Sequence, residues 1–259
     1  MSTLEADLAL AHHLADVADG ITLDRFRALD LTVELKSDQT PVTDADRDVE
    51  LKLREILDQQ RPADVVLGEE FGADTSVRGR RWIIDPIDGT KSFITGNEVW
   101  ATLIALVDGD EVIIGVVSAP AMQRRWWAAR GLGAFTSSES DQARPLHVSV
   151  TDQLQQACFA FSPRSDWSQR ETQFVALQAQ VSKVSANTDF FVHMLVAEGL
   201  IDIAAEPELS LWDIAALIPI VEEAGGQLSG FRNEDGLVAG CAVTTNSLLH
   251  AEVLSIFSS

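Results

Sequence analysis

An α+β first half joined to an α/β second half is the fold that this sequence predicts. Three observations carry the prediction. Two segments near the start place apolar residues at helical spacing. Apolar runs joined by short polar turns follow them, the pattern of a mainly antiparallel meander. Beyond residue 146, strand-like and helix-like segments alternate, as in an α/β layer.

Each element has its own signal. Leu4, Leu8, Ala11, Leu14, Val17 and Ile21 recur at helical spacing, so residues 3–28 read as an amphipathic helix. Leu31 to Leu35 reads as a strand, and Lys36 to Pro41 as a polar loop. Thr43 can cap a second helix, with Asp44 and Asp46 in its first turn and Val49, Leu53, Ile56 and Leu57 on its buried face. Val65-Val66-Leu67 is a short strand ending in Gly68-Glu69-Glu70. Trp82-Ile83-Ile84 is another, ending in Asp85-Pro86-Ile87-Asp88; a helical turn or two follows Thr90, through Phe93. Residues 100–107 and 112–117 flank the hairpin turn at 108–110, and residues 124–129 and 131–135 form a second hairpin. Trp126 and Trp127 alternate on one strand, so one faces core and the other a surface or subunit contact.

Residues 136–146 are polar and Ser-rich, and mark the boundary between subdomains at 1–140 and 147–259, with the site between them. After it, strands are expected at 157–161, 181–184, 201–205 and 242–245. Helices are expected at 169–178, 189–198, 212–224 and 247–256.

The chain carries 40 acids against 19 bases, a formal charge of −21 over 259 residues. That excess argues against nucleic acid and anionic membrane as partners, and suits a protein that gathers divalent cations. No apolar run reaches the roughly 18 residues a membrane span needs. Met1 to Glu5 lacks the basic and apolar regions of a signal peptide. Cys158 and Cys241 lie in apolar segments and are expected as buried free thiols of a cytoplasmic protein.

The chemistry gathers at element ends. Asp85 and Asp88 flank Pro86, and Gly89-Thr90 open a helix whose N–H groups and dipole favour an anion. Two hard oxygen ligands beside such a helix start are what a Mg²⁺-dependent phosphoryl site needs. An Asp-Pro-x-Asp-Gly run is also an ordinary turn. Glu69 at another strand end and Asp213 at a helix start add two acids; singly, these too read as a strand-end charge and an N-cap. Glu70 reads as a solvated neighbour. His12 and His13 read as structural or surface residues, His193 as packing in the core or at the pocket edge, and Lys183 as a solvated strand-end lysine.

Taken in order, Gly68-Glu69-Glu70, Trp82 through Thr90, and Trp212-Asp213-Ile214-Ala215-Ala216 with Gly225-Gly226 resemble the inositol monophosphatase family over nearly the whole chain. The runs 89–96, 115–120, 123–131 and 195–206 are most similar to its histidinol-phosphatase branch. The resemblance implies a layered α-β-α-β-α sandwich and a homodimer. It implies two to three Mg²⁺ ions: one on Glu69, Asp85 and the carbonyl of Ile87, a second on Asp85, Asp88 and Asp213, and a weaker third supported by Asp46 through water. Glu69 and Thr90 would position and deprotonate the attacking water. Asp88 and the amides of Gly89 and Thr90 would hold the phosphate. Asp189, Glu206 and Asp213 would meet the rest of the substrate. That branch usually carries Gly-Asp where this chain has Thr188-Asp189, preceded by Asn187.

The implied activity is hydrolysis of L-histidinol phosphate, a small-molecule phosphate monoester. The ammonium and imidazole of that ester suit acids such as Asp189 and Glu206. The alternative is an inositol-1-phosphate or related polyol phosphatase, with Glu206 binding hydroxyls. A non-catalytic partner role, taken by some relatives in RNA-related assemblies, fits poorly with a complete set of metal-matching acids and this charge.

Overall fold

The computed structural model describes residues 3–72, 79–138, 142–186 and 189–258. Helix α1 (Thr3–Arg25) ends three residues short of its expected limit. Strands β1 (Val33–Leu35) and β2 (Pro41–Thr43) then form a small antiparallel ribbon around the polar loop. The sequence gives no sign of β2, because three residues starting with proline show no period. Helix α2 (Asp44–Gln60) begins as expected, in a reciprocal capping box: the Asp46 N–H donates to Thr43 Oγ1 and the Thr43 N–H to Asp46 Oδ2.

The chain next builds a seven-stranded sheet. Its strands are β3 (Val65–Gly68), β4 (Arg81–Asp88), β5 (Ala101–Asp108), β6 (Glu111–Ala119), β7 (Arg124–Ala129), β8 (Gly133–Ser138) and β9 (Arg144–Pro145), paired in that order. Helix α3 (Thr90–Thr95) intervenes after β4. Only β3 and β4 run parallel; the rest is the expected antiparallel meander.

Two expectations need correction here. The strand through Trp82 does not stop at Asp85: β4 continues to Asp88, with Asp85 opposite Leu103 and Asp88 opposite Ala101. Pro86 and Ile87 form a bulge between them, which is where a residue without an N–H fits inside a sheet. The proposed linker is partly strand. Thr136 to Ser138 pair with Trp126 to Arg124, and Arg144-Pro145 return onto Thr136 and Phe135. Ser and Thr at a sheet edge satisfy their backbone by pairing, which composition does not reveal; residues 139–141 of that stretch lie outside the described residues.

The second sheet has five strands. In chain order these elements are β10 (Cys158–Phe161), α4 (Glu171–Gln178), β11 (Lys183–Ala186), α5 (Phe190–Ala197), β12 (Ile203–Glu206), α6 (Leu211–Ala215), α7 (Leu217–Glu223), β13 (Gln227–Ser229), α8 (Gly236–Ala239), β14 (Ala242–Thr245) and α9 (His250–Phe257). The sheet order is β11-β10-β12-β14-β13, parallel at β10 and antiparallel at β14. The helix expected over 212–224 is two helices meeting at Ala216. Pro219 lacks the N–H that would bond the Ala215 carbonyl, so the helical hydrogen bonding is interrupted where the two helices meet.

Buried side chains sort these elements into layers. Trp82, Ile84, Ile104 and Leu106 pack under α1 and α2, while Ile83, Leu103, Ala105 and Val107 face α5, α6 and α7. Alternate residues of one strand thus enter different cores. Ala160 and Ala204 of the second sheet face α5, and Phe159, Phe161, Ile203 and Val243 face α4 and α9. The order is helices, sheet, helices, sheet, helices. Trp126 is fully buried against the middle layer, and Trp127 is half-buried on the α1 side, edge-on to His12. Cys241 is buried and Cys158 half-buried, and both are free.

Candidate active site

The bulge in β4 aims its carboxylates. Asp85 Oδ1 accepts from the Ile87 N–H at 3.0 Å, and Thr102 Oγ1 donates to the Pro86 carbonyl at 2.8 Å. Both bonds lock the two extra residues in place. Thr90 Oγ1 donates to the Ile87 carbonyl at 3.0 Å and lies 3.4 Å from Asp46 Oδ1. Asp88 Oδ2 accepts from the Phe190 N–H at the start of α5. Asp213 is the third residue of α6, not its cap: Ser210 is the cap, and its N–H donates to Asp213 Oδ2 at 2.7 Å. Asp85, Asp88 and Asp213 each offer one oxygen, and the three oxygens lie within 4.8 Å of one another.

Glu69 approaches from β3. The Glu69-Glu70 turn rests on Glu50 of α2, a buried acid that accepts from the Glu70 and Phe71 N–H groups and is gripped by Arg54. A side chain at Gly68 would land 2.0 Å from Glu50 Oε1, so any larger residue there would push the Glu50 carboxylate off the turn it holds. Lys36, from the β1–β2 loop, reaches Glu69 at 2.7 Å and Glu70 at 2.6 Å. Glu70 is therefore not the solvated neighbour expected; its side chain is 6% exposed.

The electrostatics follow from burying many acids together. Burial, then the charges of Glu69, Asp88 and Asp213, raises the Asp85 carboxyl well above the ordinary range. Burial, then Asp189 and Asp213, does the same to Asp88. Burial pushes Asp213 up to about 7 and Asp46 to about 6, with Glu69 adding to both. Burial opposes the charge on Lys36, but its bonds to Glu69 and Glu70 outweigh this and raise its pKa. Asp85, Asp88 and Asp213 have no ion pair to a basic side chain among the described residues. The oxygens they bring together are carboxylate oxygens, hard ligands suited to Mg²⁺, with no His or Cys among them.

A cleft of about 580 Å³ opens above the cluster. Glu69, Asp88, Gly89, Thr90, Asp189, Glu206 and Asp213 all line it. Gly89 has φ +85°, and a Cβ there would sit 3.1 Å from the Val99 carbonyl and 3.3 Å from Asp189 Oδ2. Thr90 begins α3, whose first N–H groups have no intrahelical acceptor. Asp189 has φ +60° and ψ −159°, a backbone region costly for any residue with a side chain. Its neighbours Asn187 and Thr188 lie outside the described residues. Asp46 is buried one layer below, touching the site through Thr90.

A profile of the inositol monophosphatase family matches residues 3–259. The chain belongs to that family. It is 53% identical over 252 residues to a Mycobacterium tuberculosis histidinol-phosphatase, covering 96% of each chain. It is 50% identical to a Streptomyces coelicolor histidinol-phosphatase, covering 96% of this chain and 95% of the relative. Its fold matches that of an inositol monophosphatase from Zymomonas mobilis with a TM-score of 0.86 and 34% identity, over all of both chains.

Three residues of this family member's site escape sequence reasoning, and a fourth, His193, lies in the core at the pocket edge as expected. Lys36 sits in an unremarkable polar loop, and Ser162 is a buried hydroxyl in the cleft wall without a hydrogen-bond partner among the described residues. His193 is buried behind Glu206. Glu50 alone left a trace: it is one turn after Asp46, an acid on the face that carries Val49 and Leu53. Lys183 is exposed at the start of β11, away from the cleft.

Proposed function

We propose that this protein is a Mg²⁺-dependent phosphate monoester hydrolase that converts L-histidinol phosphate to L-histidinol and phosphate. The observation that supports it best is the meeting of Asp85, Asp88 and Asp213 under a cleft whose wall carries Asp189 and Glu206. Glu69, Asp85 and the Ile87 carbonyl would hold one ion, Asp85, Asp88 and Asp213 a second, and Asp46 would support a third. When bound, the ions supply charge neutralisation and a more acidic water.

The chain's own groups do the rest. The N–H groups of Gly89 and Thr90 hold the phosphate, on the helix end where an anion is favoured. Thr90 Oγ orients the attacking water, and Glu69 takes its proton. The water oxygen bonds to phosphorus as the ester P–O bond breaks, and the leaving alkoxide takes up one proton, which balances the one that Glu69 removes from the water. Asp189 and Glu206 face the ammonium and imidazole of the substrate, which charge-assisted bonds would hold. The reading includes a homodimer in the cytoplasm; light scattering of the purified protein tests the dimer.

Activity on L-histidinol phosphate, inositol 1-phosphate and fructose 1,6-bisphosphate decides the substrate. A preference for either sugar-type ester rejects it. Asp189→Ala is expected to lower kcat/KM for the cationic ester by roughly tenfold, the loss of one charge-assisted contact, and to leave the inositol ester nearly unchanged.

A further inference from the structure

We propose that His193 is a positioning residue that fixes the Glu206 carboxylate against the substrate. The proposal rests on the reading above only in taking the contacted end of the substrate as cationic. His193 is fully buried on α5, in the layer between the two sheets. Its Nε2 lies 3.0 Å from Glu206 Oε2, and its Nδ1 lies 2.7 Å from Thr244 Oγ1. The register explains the arrangement. Ala204 of β12 pairs with Thr244 of β14, and Glu206 stands two residues after Ala204. Thr244 and Glu206 therefore share the sheet face that looks onto α5, where Ala204 packs on Val192 and Val196.

The donor inventory fixes the direction of the bonds. A carboxylate only accepts, so Nε2 must carry the hydrogen. A neutral ring then has Nδ1 free to accept from the Thr244 hydroxyl, and a charged ring donates there instead. In both states the same N–H points at Glu206 Oε2. Glu206 needs this restraint. Its charge acts on Asp88 and Asp213, both of which repel it. With one oxygen tethered from behind, the carboxylate stays in the cleft wall instead of turning away from the acids. The helix that carries His193 also begins directly after Asp189 and donates its Phe190 N–H to Asp88. One rigid element thus sets the metal-side acid and both substrate-side acids relative to each other.

The test is a double-mutant cycle between positions 193 and 206, read on KM and kcat separately. His193→Leu is expected to raise KM for L-histidinol phosphate about tenfold, with kcat within about threefold, as expected when a positioned binding contact is lost. KM for glycerol 2-phosphate, which has no cation, should stay within about twofold. His193→Gln keeps an N–H donor and should recover most of the loss. Adding His193→Leu to Glu206→Gln should cost nothing further. The proposal is overturned if His193→Leu leaves KM unchanged, or if the two losses add in full. If His193→Leu does not fold, Thr244→Val, which removes the partner of the ring's Nδ1, carries the same cycle, with the same non-additivity expected. A wild-type preference for inositol 1-phosphate would defeat the substrate reading alone. The cycle run on that ester would still read the coupling of His193 to Glu206.

Discussion

At one corner of the cleft, Lys36 lies 2.7 Å from Glu69 and 2.6 Å from Glu70. At the other, Asp85, Asp88 and Asp213 crowd within 4.8 Å with no ion pair to a basic side chain among the described residues. Both corners bury carboxylates together, and burial raises Glu70 to about 7 even beside Lys36, but only the first corner holds a cation. The first corner carries its own cation on a loop. The second leaves its repulsion standing, raised in Asp85 and Asp88 by burial and then by neighbouring charges. The difference indicates where an external cation gains most: at the aspartates, where nothing in the chain has to be displaced.

Removing an aspartate charge should break the contrast most strongly. Asp85 serves both implied ions, so Asp85→Asn is expected to lower kcat by a factor on the order of 10³ or more. The same change relieves repulsion, so the metal-free variant should melt higher than the wild type. A calorimetric scan in chelator that shows it melting lower would mean that the aspartates do not repel.

The pH dependence of the metal-free protein comes next. A carboxyl raised in the fold holds its proton while the unfolded chain has lost its own, so stability is greatest below the unfolded pKa. For Asp213, pushed to about 7, stability should fall as pH rises from 4 to about 7, and saturating Mg²⁺ should remove that fall. Buried His250 works in the opposite sense. Burial lowers its pKa to about 4, so its contribution is lost as pH falls from 6.5 to 4. That loss is worth roughly 2–3 kcal/mol and should disappear in His250→Gln. Urea titrations across pH 4–8, with chelator and with Mg²⁺, separate the two slopes.

The Lys36 corner sharpens the comparison with a smaller effect. Lys36→Met removes a competing charge from Glu69, so Mg²⁺ should bind several-fold tighter by calorimetric titration. The metal-free variant should melt lower, because Glu69 and Glu70 then repel unchecked. An unchanged affinity would mean that the lysine and the ion do not compete. Lys183→Ala should change kcat/KM by less than about twofold, as expected of an exposed side chain outside the cleft.

The legible part of the site was local. Thr43 and Asp46 declare a helix start by their spacing, and the structure shows both bonds of the capping box. Asp85, Pro86 and Asp88 announce a special turn by residue type, but not that the turn is a bulge inside a continuing strand. Which of the two holds depends on whether β5 supplies partners on both sides of Pro86, and it does. Pro219 is a visible break inside the expected helix, but the apolar pattern that runs on around it masks the break.

By itself, the sequence determined the elements that end in acids and the two-part order of meander and alternation, since these depend on neighbours within a few positions. Only the tertiary structure decided which acids meet. Asp213 reaches Asp85 because the middle helices sit on the first sheet. Glu206 faces the same cleft because the second sheet closes on the other side of those helices. Lys36, Glu50 and His193 gain their roles through contacts between distant segments, and a buried polar group's partner is set by packing, which no local pattern encodes.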